Sequence, residues 1–267
     1  MAVTVKSEKQ IALMREAGRL LAITHEELHK ALKPGMTTLD IDRLGEEIIR
    51  DFGCVPNFKN YNGFPASICV SINDEVVHGI PTDKRVLKEG DIVSLDAGLI
   101  YKGYHSDAAR TWGVGEISAE AQRLIDVTRE SFFKGISFAK EGNHLHEISA
   151  AIQDYVEGNG FSVVRDLVGH GIGTHLHEDP EIPNFRTKGR GIRLMAGMTL
   201  AIEPMVNAGT WEVAYEDDDW TVVTDDGSLS AHYENTILVT KDGCDNIKSV
   251  LISSLSGSHQ LTNRIFI

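Results

Sequence analysis

Asp96 and Asp107 stand on either side of Ala97-Gly98 and Lys102-Gly103, pairs that look like the turn of a hairpin. Two antiparallel strands joined this way bring both carboxylates onto one face as neighbours. Carboxylates that close repel, and one takes up a proton unless a cation lies between them. His170 lies in Gly169-His-Gly-Ile-Gly173, where glycines permit close backbone approach and leave the imidazole unobstructed. Glu203 closes a strand in Ile202-Glu-Pro204, and Glu234 lies in Tyr233-Glu-Asn-Thr-Ile-Leu-Val239, another strand. Each residue alone has an ordinary reading: acids on a surface hairpin, a structural histidine in a turn, acids ending strands. An acid that finishes a buried strand is costly, however, unless something pairs with it. Together, four carboxylates and one imidazole form a hard, oxygen-rich ligand set. It suits Mn²⁺, Fe²⁺, Co²⁺ or an exchangeable Zn²⁺ pair rather than a thiolate-bound structural zinc. Five ligands are too many for one catalytic ion with open positions, but they fit two ions if some carboxylates bridge.

The elements that must position these residues are legible from periodicity and caps. Ser7 and Gln10 have capping-box spacing, and Ile11, Met14, Leu21 and Leu28 then share one helical face until Pro34-Gly35 stops the segment. Thr37 caps a second helix with a core stripe of Ile41, Leu44, Ile48 and Phe52, ending at Gly53. A strand-rich stretch runs from about Cys54 to Val114, with Ile68–Ile72 and Asp91–Asp96 as clear runs. Ser118 opens a helix through Leu124, Val127 and Phe132, and Gly142 precedes another carrying Ile148, Ile152 and Val156. Strands return from Phe161 to about Val239, and no strong pattern follows Lys241; the polar end is expected to fray.

This helix–helix–strands order occurs twice. One offset of 107 residues relates Gly35 to Gly142, Gly53 to Gly160, Leu87 to Leu194, Gly90 to Gly197 and Asp96 to Glu203. Gly90-Asp-Ile-Val-Ser-Leu-Asp96 and Gly197-Met-Thr-Leu-Ala-Ile-Glu203 are each a turn glycine, a short apolar strand and a carboxylate. The expectation is a pair of half-domains related by a pseudo-twofold, each delivering one carboxylate to a central site.

Composition narrows the setting. A net charge of -13, from 26 basic and 39 acidic residues, repels phosphate backbones, so neither specific nucleic acid nor an anionic membrane surface is expected as a partner. The hydrophobic fraction of 42% and charged fraction of 24% are ordinary for a globular chain and argue against disorder. Three scattered cysteines, Cys54, Cys69 and Cys244, do not make a disulfide framework or a structural zinc site, which favours a reducing compartment. The charged start Met1-Ala-Val-Thr-Val-Lys-Ser-Glu-Lys-Gln10 does not read as a signal peptide, and no apolar window is long enough to span a membrane. A cytoplasmic chain is the expectation, with a single catalytic domain over 1–250, half-repeats of about 7–115 and 118–240, and a tail over 251–267.

The set Asp96, Asp107, His170, Glu203 and Glu234, in this order and spacing, resembles the type I, bacterial methionine aminopeptidases of metallopeptidase family M24. The resemblance runs from the first helix to about Lys241. Its specific stretches are Ser71-Ile-Asn-Asp-Glu-Val-Val-His-Gly-Ile-Pro81, Gly169-His-Gly-Ile-Gly173, His177-Glu-Asp-Pro180, Ala201-Ile-Glu-Pro204 and Tyr233-Glu234. The interval between His177 and Glu203 has no room for the long insertion of the type II enzymes. The resemblance implies an α/β (α+β) pita-bread fold, with two pseudo-symmetric halves around a curved, mostly antiparallel sheet. It implies two divalent metal ions (Co, Mn, Fe or Zn), with Asp96 a terminal chelator, Asp107 and Glu234 bridging, and His170 with Glu203 completing the other ion. It further implies a metal-bridged hydroxide attacking the first peptide bond and Glu203 as a proton shuttle. His78 would contact the scissile amide, and His177 would hydrogen-bond the carbonyl oxygen. Tyr61, Phe64, Cys69 and Trp220 match the lining of the methionine side-chain pocket, with Phe58 and Leu176 as companions; aromatic rings and a thiol suit a thioether. The implied substrates are peptides and nascent chains that begin with methionine followed by a small residue, met near the ribosome by a monomer.

His232 stands where glutamine is usual in that family and Asn235 where histidine is usual. Both flank Glu234 and could alter metal preference or turnover through its surroundings. Cys54 and Cys244 match nothing. Two other classes of function share the fold: an Xaa-Pro aminopeptidase or prolidase, which usually carries an additional N-terminal domain, and a binding module without catalysis.

Overall fold

The first helix, α1 (Glu8–Ala31), begins where the Ser7 N–H and hydroxyl both donate to Gln10 Oε1, at 2.8 and 2.9 Å. The capping box expected from the spacing is formed, the Ser7 side chain facing the Gln10 backbone and the Gln10 side chain the Ser7 N–H. α1 buries Met14, Ala17, Leu21 and Leu28. Thr37 caps α2 (Thr38–Asp51), its hydroxyl accepting from Asp40 N while its own N–H donates to Asp40. The buried stripe of α2 is Ile41, Gly45 and Ile49; Leu44, Ile48 and Phe52 lie at its half-buried edge. The stripe rotates because Asp42 is itself buried, accepting hydrogen bonds from Ser67 N and Ile68 N at the start of the strand Ile68–Ile72. The computed structural model describes residues 3–247; the tail assigned to 251–267 and its expected fraying lie outside the described residues.

The first half continues through β1 (Val55–Pro56), β2 (Ile68–Ile72), β3 (Glu75–Val77), β4 (Ile92–Tyr101) and β5 (Tyr104–Gly113). The turn of the β4–β5 hairpin is Lys102-Gly103 alone, both with positive φ, as a two-residue loop matched to strand twist requires. Ala97-Gly98, taken above as part of the turn, stays in β4. The second half follows: α3 (Ala119–Ile136), capped by the Ser118 hydroxyl, α4 (Leu145–Gly158), then β6 (Ser162–Val163), β7 (Gly169–Gly171), β8 (Glu178–Ile182), β9 (Thr199–Ile202) and β10 (Met205–Asn207). It closes with β11 (Val213–Tyr215), β12 (Val222–Thr224), β13 (Ser230–His232), β14 (Asn235–Val239) and β15 (Cys244–Asn246). β15 is an element where the sequence past Lys241 has no evident pattern; its three residues borrow their ladder from β14.

β4 pairs with β1 and β2 on one edge and β5 on the other, and a five-stranded sheet runs β15-β14-β9-β7-β8. Every named pair is antiparallel. β5 joins the two sheets. Ala109 and Glu234 exchange backbone hydrogen bonds, the Thr236 hydroxyl bonds Asp107 N, and the Thr111 hydroxyl bonds both His232 N and its carbonyl. Strand alternation then sorts the faces. Val93, Leu95, Ala97 and Leu99 of β4 pack in one core with Leu21, Leu28, Ile41 and Ile49 of α1 and α2. Leu200, Ile202, Ile237 and Val239 pack with Leu124, Phe132, Ile148 and Ile152 of α3 and α4. The helices thus cover one face, which leaves Asp96, Glu203 and Glu234 on the other.

Hydrogen bonds recur at the 107-residue offset. Gly35 N donates to Leu87 O as Gly142 N does to Leu194 O, and Leu87 N to Met36 O as Leu194 N to Asn143 O. The isolated bridge Thr37–Val86 reappears as His144–Arg193. The glycines match in conformation too, with φ of 90° and 91° at Gly35 and Gly142, and 92° and 93° at Gly90 and Gly197. No helix among the described residues is long and apolar enough to cross a membrane.

Candidate active site

Register places the acids. In the hairpin Asp96 pairs with Ala109 and Asp107 with Gly98, so the two carboxylates are diagonal neighbours on one face. Asn235 pairs with Ile202, and one further step along that ladder sets Glu234 opposite Glu203. His170 pairs with Ala201, diagonal to Glu203. Its neighbouring glycines are steric necessities: a Cβ on Gly169 would stand 2.4 Å from Ala201 O, and one on Gly171 2.2 Å from Asp179 O.

Ligand atoms of Asp107, His170 and Glu234 all lie within 4.8 Å of one another. His170 Nε2 is 3.6 Å from Glu203 Oε1 and 4.0 Å from Asp107 Oδ2. His170 Nδ1 lies 2.9 Å from Gly171 O, which only a protonated Nδ1 can satisfy, and this leaves the Nε2 lone pair facing the carboxylates. Asp96 Oδ1 and Glu234 Oε1 are buried without a hydrogen-bond partner. Burial lifts the Asp96 carboxyl to about 7. Burial, reinforced by neighbouring carboxylates, pushes Asp107, Glu203 and Glu234 well above the usual range. Only protons or cations can relieve that crowding. Oxygen-rich donors, an imidazole in the ligating tautomer and orphaned carboxylate oxygens fit divalent metal.

The ligands form one wall of a cavity of about 290 Å³. Tyr61, Phe64, Cys69, Trp220, Phe58 and Leu176 line the remainder, together with His78 and His177. Phe64 meets Trp220 edge-on at 5.2 Å, and burial raises the Cys69 thiol well above its ordinary value, so it stays protonated. His78 adopts a left-handed backbone (φ 60°), and burial followed by the nearby His177 pushes its imidazole down to about 4. Gly79 lies so close to β2 that a Cβ there would stand 2.3 Å from Val70 O. Tyr61 does more than line the pocket: its hydroxyl is 2.7 Å from His177 Nδ1.

Every site residue singled out from sequence reaches this cavity. Several others were not foreseen. Asn62, Leu167, Val168 and Met205 also line it. His232, marked in the sequence as a departure beside Glu234, lines it too, with both ring nitrogens buried and without a hydrogen-bond partner. Asn184, fully buried, donates to Glu203 O at 3.0 Å. Buried Arg110 donates to the Glu234 carbonyl and to Asn235 Oδ1 and stacks 4.1 Å from the Tyr233 ring. Asn235 therefore turns away from the ligands to hold Arg110, whereas His232, two residues before Glu234, shares its face. A charged residue at an inward strand position was the available signal for Arg110; nothing local marks Asn184.

Residues 12–241 match the family model of metallopeptidase family M24. The chain is 57% identical over 241 residues to a methionine aminopeptidase of Clostridium acetobutylicum, covering 90% of this chain and 96% of that protein. The crystal structure of a methionine aminopeptidase from Thermotoga maritima superposes with a TM-score of 0.90 at 46% identity, covering 92% of this chain and 99% of that one. An Xaa-Pro dipeptidase from Bacillus anthracis gives a TM-score of 0.73 at 25% identity, and the match spans 61% of its length. The proline-specific relative is similar in fold but carries a large additional part that this chain does not match.

Proposed function

Because the chain belongs to metallopeptidase family M24, among its type I methionine aminopeptidases, and removes N-terminal methionine from peptides, we propose that the cavity described above is where that hydrolysis takes place. The observation that carries the proposal is the meeting of Asp107, His170 and Glu234 within 4.8 Å, beside an apolar cavity. Asp96, Asp107, His170, Glu203 and Glu234 would hold two divalent cations, Asp107 and Glu234 being the carboxylates that could serve both. Bound there, the cations supply Lewis acidity toward the scissile carbonyl and activation of water near neutral pH. Metallopeptidase membership implies metal; cobalt, manganese, iron and zinc all suit these donors, and elemental analysis of the purified protein decides among them.

The chain's own residues do the rest. The methionine side chain enters between Tyr61, Phe64, Cys69 and Trp220, with Phe58 and Leu176 beneath. Its free amine points to the Asp96 side of the cluster. Tyr61 donates its hydroxyl proton to His177 Nδ1, which leaves Nε2–H as the donor for the carbonyl oxygen as charge grows on it. His78, kept neutral, contacts the scissile amide. Glu203 takes a proton from the attacking water and delivers it to the departing amine. One water adds across the first peptide bond, releasing methionine and the shortened chain.

The second substrate residue would lie against His78 and Gly79, where β2 leaves little room. Met-Gly, Met-Ala and Met-Ser peptides should therefore be cleaved well, and Met-Lys and Met-Phe poorly. N-formyl-methionyl peptides should resist, since the formyl group removes the amine. A peptide panel scored by loss of one methionine, with Mn²⁺ or Co²⁺ and after chelation, tests this; equal rates for alanine and phenylalanine at the second position, or full rate after chelation, would overturn it. The same reading makes the enzyme a cytoplasmic monomer acting on nascent chains near the ribosome, with neither specific nucleic acid nor membrane as partner. It treats 1–250 as one catalytic domain with half-repeats of about 7–115 and 118–240, supported by the hydrogen bonds repeated at the 107-residue offset.

A further inference from the structure

His177 is exposed, and beyond the Tyr61 hydroxyl at 2.7 Å and the His170 ring at 4.2 Å the placing of its imidazole falls to its loop. The loop runs from Gly173 to Glu178 and is pinned from outside by the segment preceding α1. Glu178 is buried, and its Oε2 accepts from Lys6 Nζ at 2.7 Å and from the Thr4 hydroxyl at 2.8 Å. Its Oε1 accepts from His175 N at 3.2 Å and the Thr174 hydroxyl at 3.4 Å. One carboxylate thus ties the segment holding Thr4 and Lys6 to both ends of the turn that presents His177. Lys6 is buried as well, and its ammonium also bonds Thr4. Its stem lies across Gly173, where a Cβ would stand 2.5 Å from Lys6 Cε. The far side of the segment is fixed to the second half of the fold by Lys6 N donating to Gly197 O at 2.8 Å.

We infer that Lys6 is a positioning residue for hydrolysis: through Glu178 it sets the loop that aims His177 at the substrate carbonyl. The inference rests on the role given to His177 above. An ion pair so placed contributes little net stability over an apolar pair of the same shape. Its geometric effect is larger, because a donor displaced by about 1 Å loses most of its hold on the developing oxyanion.

The test compares Lys6→Met, Lys6→Arg, His177→Ala and the Lys6→Met/His177→Ala double variant on a Met-Ala-Ser peptide, well below each melting temperature. Lys6→Met should lower kcat about tenfold with KM changed less than about twofold, and Lys6→Arg should recover most of the loss. On the His177→Ala background Lys6→Met should cost less than about twofold more, since both changes remove one interaction. If Lys6→Met fails to fold because Glu178 is left unpaired, Lys6→Met/Glu178→Gln removes both charges and should still be slow. Wild-type kcat in the folded Lys6 variants with only a lower melting temperature, or losses that multiply in the double variant, would overturn the inference. Full kcat in His177→Ala would instead refute the role of His177 itself.

Discussion

At the scale of single residues, Tyr61 and His177 make the most instructive pair. An aromatic beside a thioether pocket reads as lining, yet its hydroxyl sits 2.7 Å from His177 Nδ1, and by donating there it would hold the tautomer that carries its proton on Nε2. Removing that oxygen keeps the ring and frees the imidazole. Tyr61→Phe should therefore lower kcat roughly tenfold, in the range seen when partners that orient a catalytic histidine are lost, and leave KM nearly unchanged. Steady-state rates on one good peptide measure both quantities. His232 and Asn235 divide by strand alternation: one faces the cavity without partners and the other binds Arg110 on the opposite side. Their types were readable as departures; their directions needed the strand.

At the scale of elements, the site depends on how closely strands approach. β7 carries His170 between two glycines because β8 and β9 press against it on both sides. A methyl group on Gly171 would meet backbone, the Asp179 carbonyl oxygen at 2.2 Å and its carbon at 2.7 Å, and backbone cannot rotate aside as a side chain can. Gly171→Ala should cost about 1–3 kcal/mol and move His170 off the carboxylates. A lower denaturation midpoint together with loss of metal-dependent activity is the expected result; an alanine variant with unchanged stability would mean the strands are looser than this. The β4–β5 hairpin teaches a related point. Asp96 and Asp107 were readable as neighbours from spacing, but moving the turn to Lys102-Gly103 sets the register that makes them diagonal.

At the scale of the whole molecule, the Lys6–Glu178 pair links the start of the described chain to the second half of the fold and responds to acid. Burial would raise the Glu178 carboxyl, but the Lys6 ammonium, the Thr4 hydroxyl and the His175 N–H outweigh it and hold the group down to about 2. In the unfolded chain a glutamate titrates near ~4.3. The pair's contribution is thus fully present above that pH and fades as pH falls toward about 2. Its size there is on the order of 2–3 kcal/mol. The stability difference between the protein and Glu178→Gln, followed by tryptophan fluorescence in urea, should narrow steadily between about pH 5 and pH 2. A difference that stays constant through that window would mean the carboxylate is not held ionised.

Whereas His78 and His177 were marked only by the family resemblance, the five candidate ligands, the caps and the 107-residue repeat were legible in the sequence, because spacing, glycine placement and residue chemistry are local properties. So was the helix–helix–strands order of each half, since apolar periodicity marks the face an element buries. The stripe of α2 was read one position off, because the carboxylate of Asp42 is buried by a bond to β2 that no helical period can announce. The strand β15 was invisible for the same reason: three residues with no pattern of their own become a strand when β14 offers an edge. Arg110 on Glu234, Asn184 on Glu203 and Lys6 on Glu178 span 124, 19 and 172 residues of chain. Contacts of that kind leave no periodic trace. Residue chemistry names the groups that can react, and only the folded backbone, by bringing distant donors within about 3 Å, decides which others hold them in place.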